Sequence, residues 1–258
     1  MIASAMNPPP PPLGPRDALF LDFDGTLAEI AASPRKVVVD PRIPALLIGL
    51  AQRLDGAVAV VSGRSLEDVE RLLRPYAGAM AGIYGLERRE ANGKTMASAP
   101  LPELVQAREI MTEFTATRPG VMLEDKGLAL AIHYRDSPEH GPACRVAARA
   151  VARGRLTMVP GKMVIEIHPD GMDKGRAIQT FMDEPPFRGR RPVYLGDDRP
   201  DEAGFSLVNR SGGISVMVGP AFVTAAQYRM DSVAEVIDWL YGFAFGPTGT
   251  EESSGSIE

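Results

Sequence analysis

Five aspartates and one lysine mark where this chain could do chemistry. Asp22 and Asp24 stand two residues apart in LFLDFDGTLAEI, at the end of an apolar run. Asp197 and Asp198 are adjacent in GDDRPDE, and Asp201 follows. A buried strand does not tolerate unpaired charge at its end, so acids placed there need a partner. If the two groups converge, their repulsion calls for a cation, and a set of oxygen donors suits Mg²⁺. Ser62 follows a second apolar run, AVAVV, and Lys174 opens the helical pattern DKGRAIQTF. A cation, a lysine, a hydroxyl and a helix N-terminus together can hold a phosphate group, and a carboxylate beside it can act as a nucleophile.

The elements that must position these residues follow from local pattern. ALFLDF reads as a short buried strand. DPRIPALLIGLAQRLDG reads as a helix, with Asp40 capping, Pro41 in the first turn and Gly56 at its end. AVAVVSGRS is a second strand, and Ser65 with Asp68 resembles a capping box for the next helix. RPVYLGDDR and GGISVMVG supply two more strands, and DSVAEVIDWLYGF a last helix. Strands alternating with helices predict a parallel sheet with right-handed crossovers. Ligands gather at the carboxyl ends of such strands, where Asp22, Asp24, Ser62, Asp197 and Asp198 fall.

The middle of the chain has another rhythm. A helix, PELVQAREIMTEFTAT, precedes two alternating runs that turn at Lys126-Gly127; a second helix, PACRVAARAVARG, precedes two more that turn at Pro160-Gly161. Period-2 patterning predicts a sheet with one covered face. The expected fold is therefore α/β: a Rossmann-like parallel-sheet core from residues 17–101 and 171–245, with an inserted αββαββ cap over 102–170. Residues 1–16, rich in proline, read as an extended disordered tether, and residues 246–258 as a disordered tail.

Composition narrows the classes. The net charge of -5 argues against a nucleic-acid binder. The chain contains no apolar run of about 18 residues, so no membrane span is expected, and the N-terminus does not follow the pattern of a signal peptide. The single cysteine, Cys144, cannot pair internally and reads as a buried filler, which fits a cytoplasmic setting. Of the five lysines, Lys126, Lys162 and Lys174 fall in the stretches singled out here.

DFDGTL, Ser62, Lys174 and GDDRPDE, in that order, resemble the four motifs of the haloacid dehalogenase-like (HAD) phosphatases. The resemblance implies a Mg²⁺-dependent phosphoric monoester hydrolase. Asp22 would be the nucleophile that forms an aspartyl-phosphate, Asp24 the general acid/base, and Ser62 and Lys174 the residues holding phosphate oxygens. Asp22, the Asp24 carbonyl and Asp197 would bind the metal, with Asp198 and Asp201 as supporting acids. Gly25, Thr26, Gly63 and Arg64 join the implied substrate-binding set. Within that superfamily, SGR, YGLERR, EDKGLALAIHYR, KMVIEIHP and GDDRPDE are most similar to trehalose-6-phosphate phosphatases. This implies a small sugar-phosphate substrate, sugar contacts from Lys126, His133, Lys162 and Glu166, and trehalose-6-phosphate synthase as a pathway partner. Lys162 and Glu166, four apart on an expected strand, would share a face. Pro200 stands where the family usually has threonine, and Ala203 where it usually has an acid. The competing expectations are a phosphatase of sucrose, glucosylglycerol or mannosylglycerate phosphate, and a catalytically silent sugar-phosphate sensor. The sensor is disfavoured because Asp22, Asp24 and Lys174 are all present.

Overall fold

A computed structural model describes residues 8–31, 36–220 and 223–247. It contains two sheets, each with its own hydrophobic cluster. The first sheet has eight strands: β1 (Asp17–Leu21), β2 (Val58–Val61), β3 (Ala79–Gly82), β4 (Glu87–Arg89), β5 (Thr95–Ala97), β10 (Arg191–Gly196), β11 (Ile214–Val218) and β12 (Tyr228–Met230). Their order is β12-β11-β10-β1-β2-β3-β4-β5, parallel from β12 to β3 and antiparallel at β4 and β5. Successive strands run outward from β1 to β2 and β3, and later ones from β10 to β11 and β12 on its other side. β1 is thus the switch point, and the crevice beyond its carboxyl end is where such sheets bind ligands.

Every residue of β1, β2 and β11 is buried, as an apolar run in a sheet covered on both faces should be. Helix α1 (Ile43–Arg53) packs on α7 (Val233–Phe245), and α5 (Lys174–Met182) on α6 (Glu202–Arg210). The short helix α2 (Leu66–Leu73) starts where expected, with the Ser65 hydroxyl accepting the Asp68 N–H. Helix α1 begins two residues after its expected first-turn proline. The Asp40 carboxylate accepts the Arg42 N–H and grips its guanidinium, and the helix starts only beyond that knot.

The second sheet holds β6 (Met122–Asp125), β7 (Leu130–His133), β8 (Leu156–Gly161) and β9 (Val164–Pro169), all antiparallel, in the order β6-β7-β9-β8. Helices α3 (Pro102–Ala116) and α4 (Gly141–Val151) supply Leu104, Ala107, Met111, Cys144 and Ala148 to its cluster, which they share with Leu130, Ile132, Ile165 and Ile167. Cys144 is a buried filler, as its pattern implied. The second hairpin turns later than expected. Pairing continues through Pro160↔Ile165 and Gly161↔Val164, so the turn is Lys162-Met163, with Met163 left-handed at φ 60°. Proline is accommodated because β8 is an edge strand. Lys162 therefore sits at the hairpin tip and not on a strand face with Glu166.

Of the expected N-terminal tether, residues 1–7 lie outside the described residues. Residues 8–16 meet the large sheet: the Pro8 carbonyl accepts the Arg229 N–H from edge strand β12, the Arg16 carbonyl accepts the Arg191 N–H at the start of β10, and Leu13 is buried. The expected tail lies outside the described residues from 248 onward; before it, Gly246 closes α7.

Candidate active site

The carboxyl ends of β1, β2 and β10 bring Asp22, Ser62 and Asp197 together, and the first residue of α5 adds Lys174. Lys174 Nζ donates to Asp22 Oδ1 at 2.6 Å and to Asp201 Oδ1 at 2.5 Å. Burial opposes the lysine's charge, but Asp201 and Asp22 outweigh it and hold its pKa well above the ordinary value. Burial likewise pushes the Asp22 carboxyl well above the usual carboxylate range, against the pull of Lys174 and with the repulsion of Asp201 and Asp197. Asp197 is pushed up to about 6, first by burial and then by Asp201. Two neighbouring acids that resist ionisation are a site short of positive charge.

Carboxylate oxygens of Asp22, Asp197 and Asp201 all lie within 4.8 Å of one another. These three acids are not equivalent. Asp201 is fully buried, and its oxygens accept from Lys174, the Tyr194 hydroxyl and the backbone N–H groups of Asp197 (2.8 Å) and Asp198 (2.9 Å). It orders the loop and the lysine, and has no accepting capacity left over. Asp22 and Asp197 line the cavity and fit an oxygen-binding cation such as Mg²⁺. Gly25 makes their approach possible: at φ 85°, a Cβ there would lie 2.1 Å from Asp197 Oδ2. Asp198 lies outside this cluster. Its carboxylate accepts the Lys162 N–H at 3.1 Å and so pins the hairpin tip. Pro200, the departure from the family motif, sits in the first turn of the 199–201 helix, where its missing N–H costs nothing.

The other expected residues group by the work their neighbours assign them. Arg64 forks onto Asp24 at 2.6 and 2.7 Å and fixes the direction in which that carboxylate points. The Ser62 hydroxyl accepts the Arg64 N–H. Gly25 and Thr26 do not line the cavity, and the buried Thr26 hydroxyl has no partner among the described residues. The small sheet faces the site across a cavity of about 250 Å³. Strand alternation explains which side chains do so: Met122 and Glu124 on β6, His133 on β7, and Val164 and Glu166 on β9 line it, while Ile132, Ile165 and Ile167 point into the cluster beneath the helices.

On the small-sheet side Lys126 Nζ donates to Glu166 Oε1 at 2.6 Å, and across the cavity it donates to the Gly63 carbonyl at 2.7 Å. Burial pushes the Glu166 carboxyl up to about 8 and Lys126 down. Lys162 Nζ reaches Asp197 Oδ2 at 2.6 Å. His133 Nε2 lies 2.7 Å from Glu124 Oε2. Arg135 binds the carbonyls of Ala31 and Lys162.

Tyr84, Glu124 and Arg135 line the cavity and were not among the expected site residues. Glu124 and Arg135 lie inside the stretches EDKG and HYR, and Glu124 has the same parity along the chain as Lys126. That alternation was the signal available for it. Tyr84 opens the stretch YGLERR that carried the resemblance, which was the signal available for it, and its backbone is left-handed at φ 57°.

The trehalose-phosphatase family model matches residues 20–234 of the chain. The chain is 45% identical over 235 residues to trehalose-6-phosphate phosphatase of Escherichia coli, covering 89% of this chain and 87% of that protein. It is 41% identical over 206 residues to a probable trehalose-phosphate phosphatase of Sinorhizobium fredii, covering 79% and 78%. The fold superposes on the C-terminal domain of Candida albicans trehalose-6-phosphate phosphatase with a TM-score of 0.81, at 20% identity over 94% of this chain and 99% of that one.

Proposed function

The chain belongs to the trehalose-phosphatase family, and from that premise we propose that it hydrolyses trehalose 6-phosphate to trehalose and phosphate. The observation that carries the proposal is the shared cavity. Asp22, Asp197, Ser62 and Lys174 form one wall, and the polar face of the small sheet, with Lys126, Glu124, His133 and Glu166, forms the opposite one. The first wall suits any phosphate monoester; the second suits a ligand carrying many hydroxyls.

In this reading an Asp22 carboxylate oxygen attacks phosphorus. The bond from phosphorus to the sugar oxygen breaks, and Asp24, aimed by Arg64, gives that oxygen a proton. Asp24 then takes a proton from water, the water oxygen bonds to phosphorus, and Asp22 leaves as a carboxylate. Lys174 and Ser62 hold phosphoryl oxygens, and fixed positive charge stabilises the transferring group. Asp22, Asp197 and the Asp24 carbonyl would hold Mg²⁺, which when bound supplies the charge that the buried acids and the phosphate lack. Lys162, at the hairpin tip, and Lys126 bring positive charge from the sheet side. The substrate is the product of a glycosyl transfer to a sugar phosphate, so a trehalose-6-phosphate synthase is the proposed pathway partner. No described helix is long and apolar enough to cross a membrane, and a cytoplasmic setting is part of the proposal.

The test is phosphate release from a panel of purified sugar phosphates, with and without Mg²⁺. The panel includes trehalose, sucrose, glucosylglycerol and mannosylglycerate phosphates. Highest kcat/KM on trehalose 6-phosphate is the expected result; preference for another member would overturn the substrate assignment, and no release from any would overturn the activity.

A further inference from the structure

We propose that Tyr84 contacts the substrate, its hydroxyl hydrogen-bonding to the sugar beside the phosphate-holding loop. This rests on the sugar-phosphate reading above. The backbone is the first observation. Ile83, Tyr84 and Gly85 have φ of 46°, 57° and 91°. For a β-branched residue such as isoleucine this is an outlier, and strain of this kind persists where the surroundings over-determine it, often at a functional site. Here the surroundings are the motif loop itself. The Ile83 N–H donates to the Arg64 carbonyl at 2.8 Å and the Tyr84 N–H to the Ser62 carbonyl at 3.1 Å. Ile83 is anchored in a small buried cluster with Leu86, Leu128 and Ala129.

The second observation is where this strained turn delivers the ring. Tyr84 lies against Gly63: a Cβ added there would be 2.8 Å from the tyrosine hydroxyl and 3.0 Å from Cζ. Its other neighbour is the ring of His168 on β9, with centroids 5.0 Å apart. Tyr84 is 5% exposed and lines the cavity, yet its hydroxyl has no hydrogen-bond partner among the described residues. The hydroxyl itself is not sealed from the cavity, so a ligand there can supply the partner that the described residues do not.

The third observation is its company. Lys126 ties the same Gly63 to Glu166, whose Oε2 is buried without a partner among the described residues. A phenol that can donate and a carboxylate that can accept, set about one loop residue, match the donor and acceptor faces of sugar hydroxyls.

The experiment removes one oxygen and keeps the ring. In the Asp22→Asn protein, binding of trehalose 6-phosphate is measured by calorimetry with and without Tyr84→Phe. The second substitution should weaken binding about fivefold. In otherwise unaltered enzyme, Tyr84→Phe should lower the ratio of kcat/KM for trehalose 6-phosphate to that for an aryl phosphate by a similar factor. An unchanged affinity and ratio would overturn the proposal. So would an equal loss on both substrates with a lowered melting temperature, because the ring would then only support the loop. If the panel shows preference for another sugar phosphate, the trehalose assignment fails by itself, and the same two measurements on that sugar decide Tyr84 separately.

Discussion

Asp201→Asn probes the centre of the site without altering a residue that lines the cavity. The Asp201 carboxylate accepts four hydrogen bonds, two at each oxygen: Lys174 and Tyr194 at one, and the N–H groups of Asp197 and Asp198 at the other. Asparagine offers one accepting oxygen and an amino group that donates. Whichever way it is turned, its amino group faces two former donors, of which only the Tyr194 hydroxyl can turn to accept. If the amino group faces the loop, two backbone N–H groups lose their acceptor at about 1–3 kcal/mol each. If it faces Lys174, a buried ammonium keeps only Asp22 as its counterion. Either outcome costs about 3–5 kcal/mol, the range for breaking a buried ion pair. At about 2–4 °C per kcal/mol for a chain of this size, the melting temperature falls by about 10 °C. The freed 197–198 loop would also hold Asp197 less well, which should weaken Mg²⁺ binding about 10–100-fold. Urea unfolding in the presence of chelator reads the first effect and calorimetric Mg²⁺ titration the second. A variant within about 1 kcal/mol of the parent, with the same Mg²⁺ affinity, would refute the claim that this buried acid organises the site.

Asp22→Asn should reduce phosphate release to background while the protein stays folded by circular dichroism; substantial turnover, with contamination excluded, would remove the covalent mechanism. Thorough chelation should stop activity and added Mg²⁺ restore it, because Asp22 and Asp197 are both pushed up in pKa at one wall; activity indifferent to chelation would count against the metal site. Glu166→Gln should lower kcat/KM for trehalose 6-phosphate about tenfold, through a changed sugar contact, and equal losses on an aryl phosphate would reassign Glu166 to support of the fold. The same variant carries a pH signature. Burial raises the Glu166 carboxyl from its ordinary 4.5 to about 8 in the folded protein. Between those values the folded state holds a proton that the unfolded state has lost, so stability falls as pH rises from about 5 to 8, by at most about 1.4 kcal/mol per unit. Urea unfolding at several pH values should show that decline in the parent and a flatter profile in Glu166→Gln; parallel profiles would contradict it.

The sequence by itself determined the parts that depend on neighbours along the chain. An apolar run ending in Asp22, another ending in Ser62 and a third ending before Asp197 are local signals, and they announced strands with polar carboxyl ends. The αββαββ insert was legible because alternation and helical period are both read within a dozen residues. The strands that escaped notice, β3, β4, β5 and β12, have three or four residues each. Such short segments carry almost no period, and their pairing comes from residues far away in the chain.

Only the tertiary structure separated residues of one type into different roles. Asp197 and Asp201 are both acids in one short motif. Folding leaves the first on the cavity wall and buries the second among four donors, so one can face a cation and the other holds the loop. The turn at Lys162-Met163 likewise follows from cross-strand register and from Asp198 capturing the Lys162 N–H, neither of which turn propensity at Pro160-Gly161 can register. Tyr84 is the extreme case. No local preference sends an isoleucine-tyrosine pair left-handed; the carbonyls of Ser62 and Arg64 impose it. Local sequence sets which elements form, because backbone propensity and hydrophobic period act over a few residues. The identity of each charge's partner is decided by burial, which only the assembled sheets create.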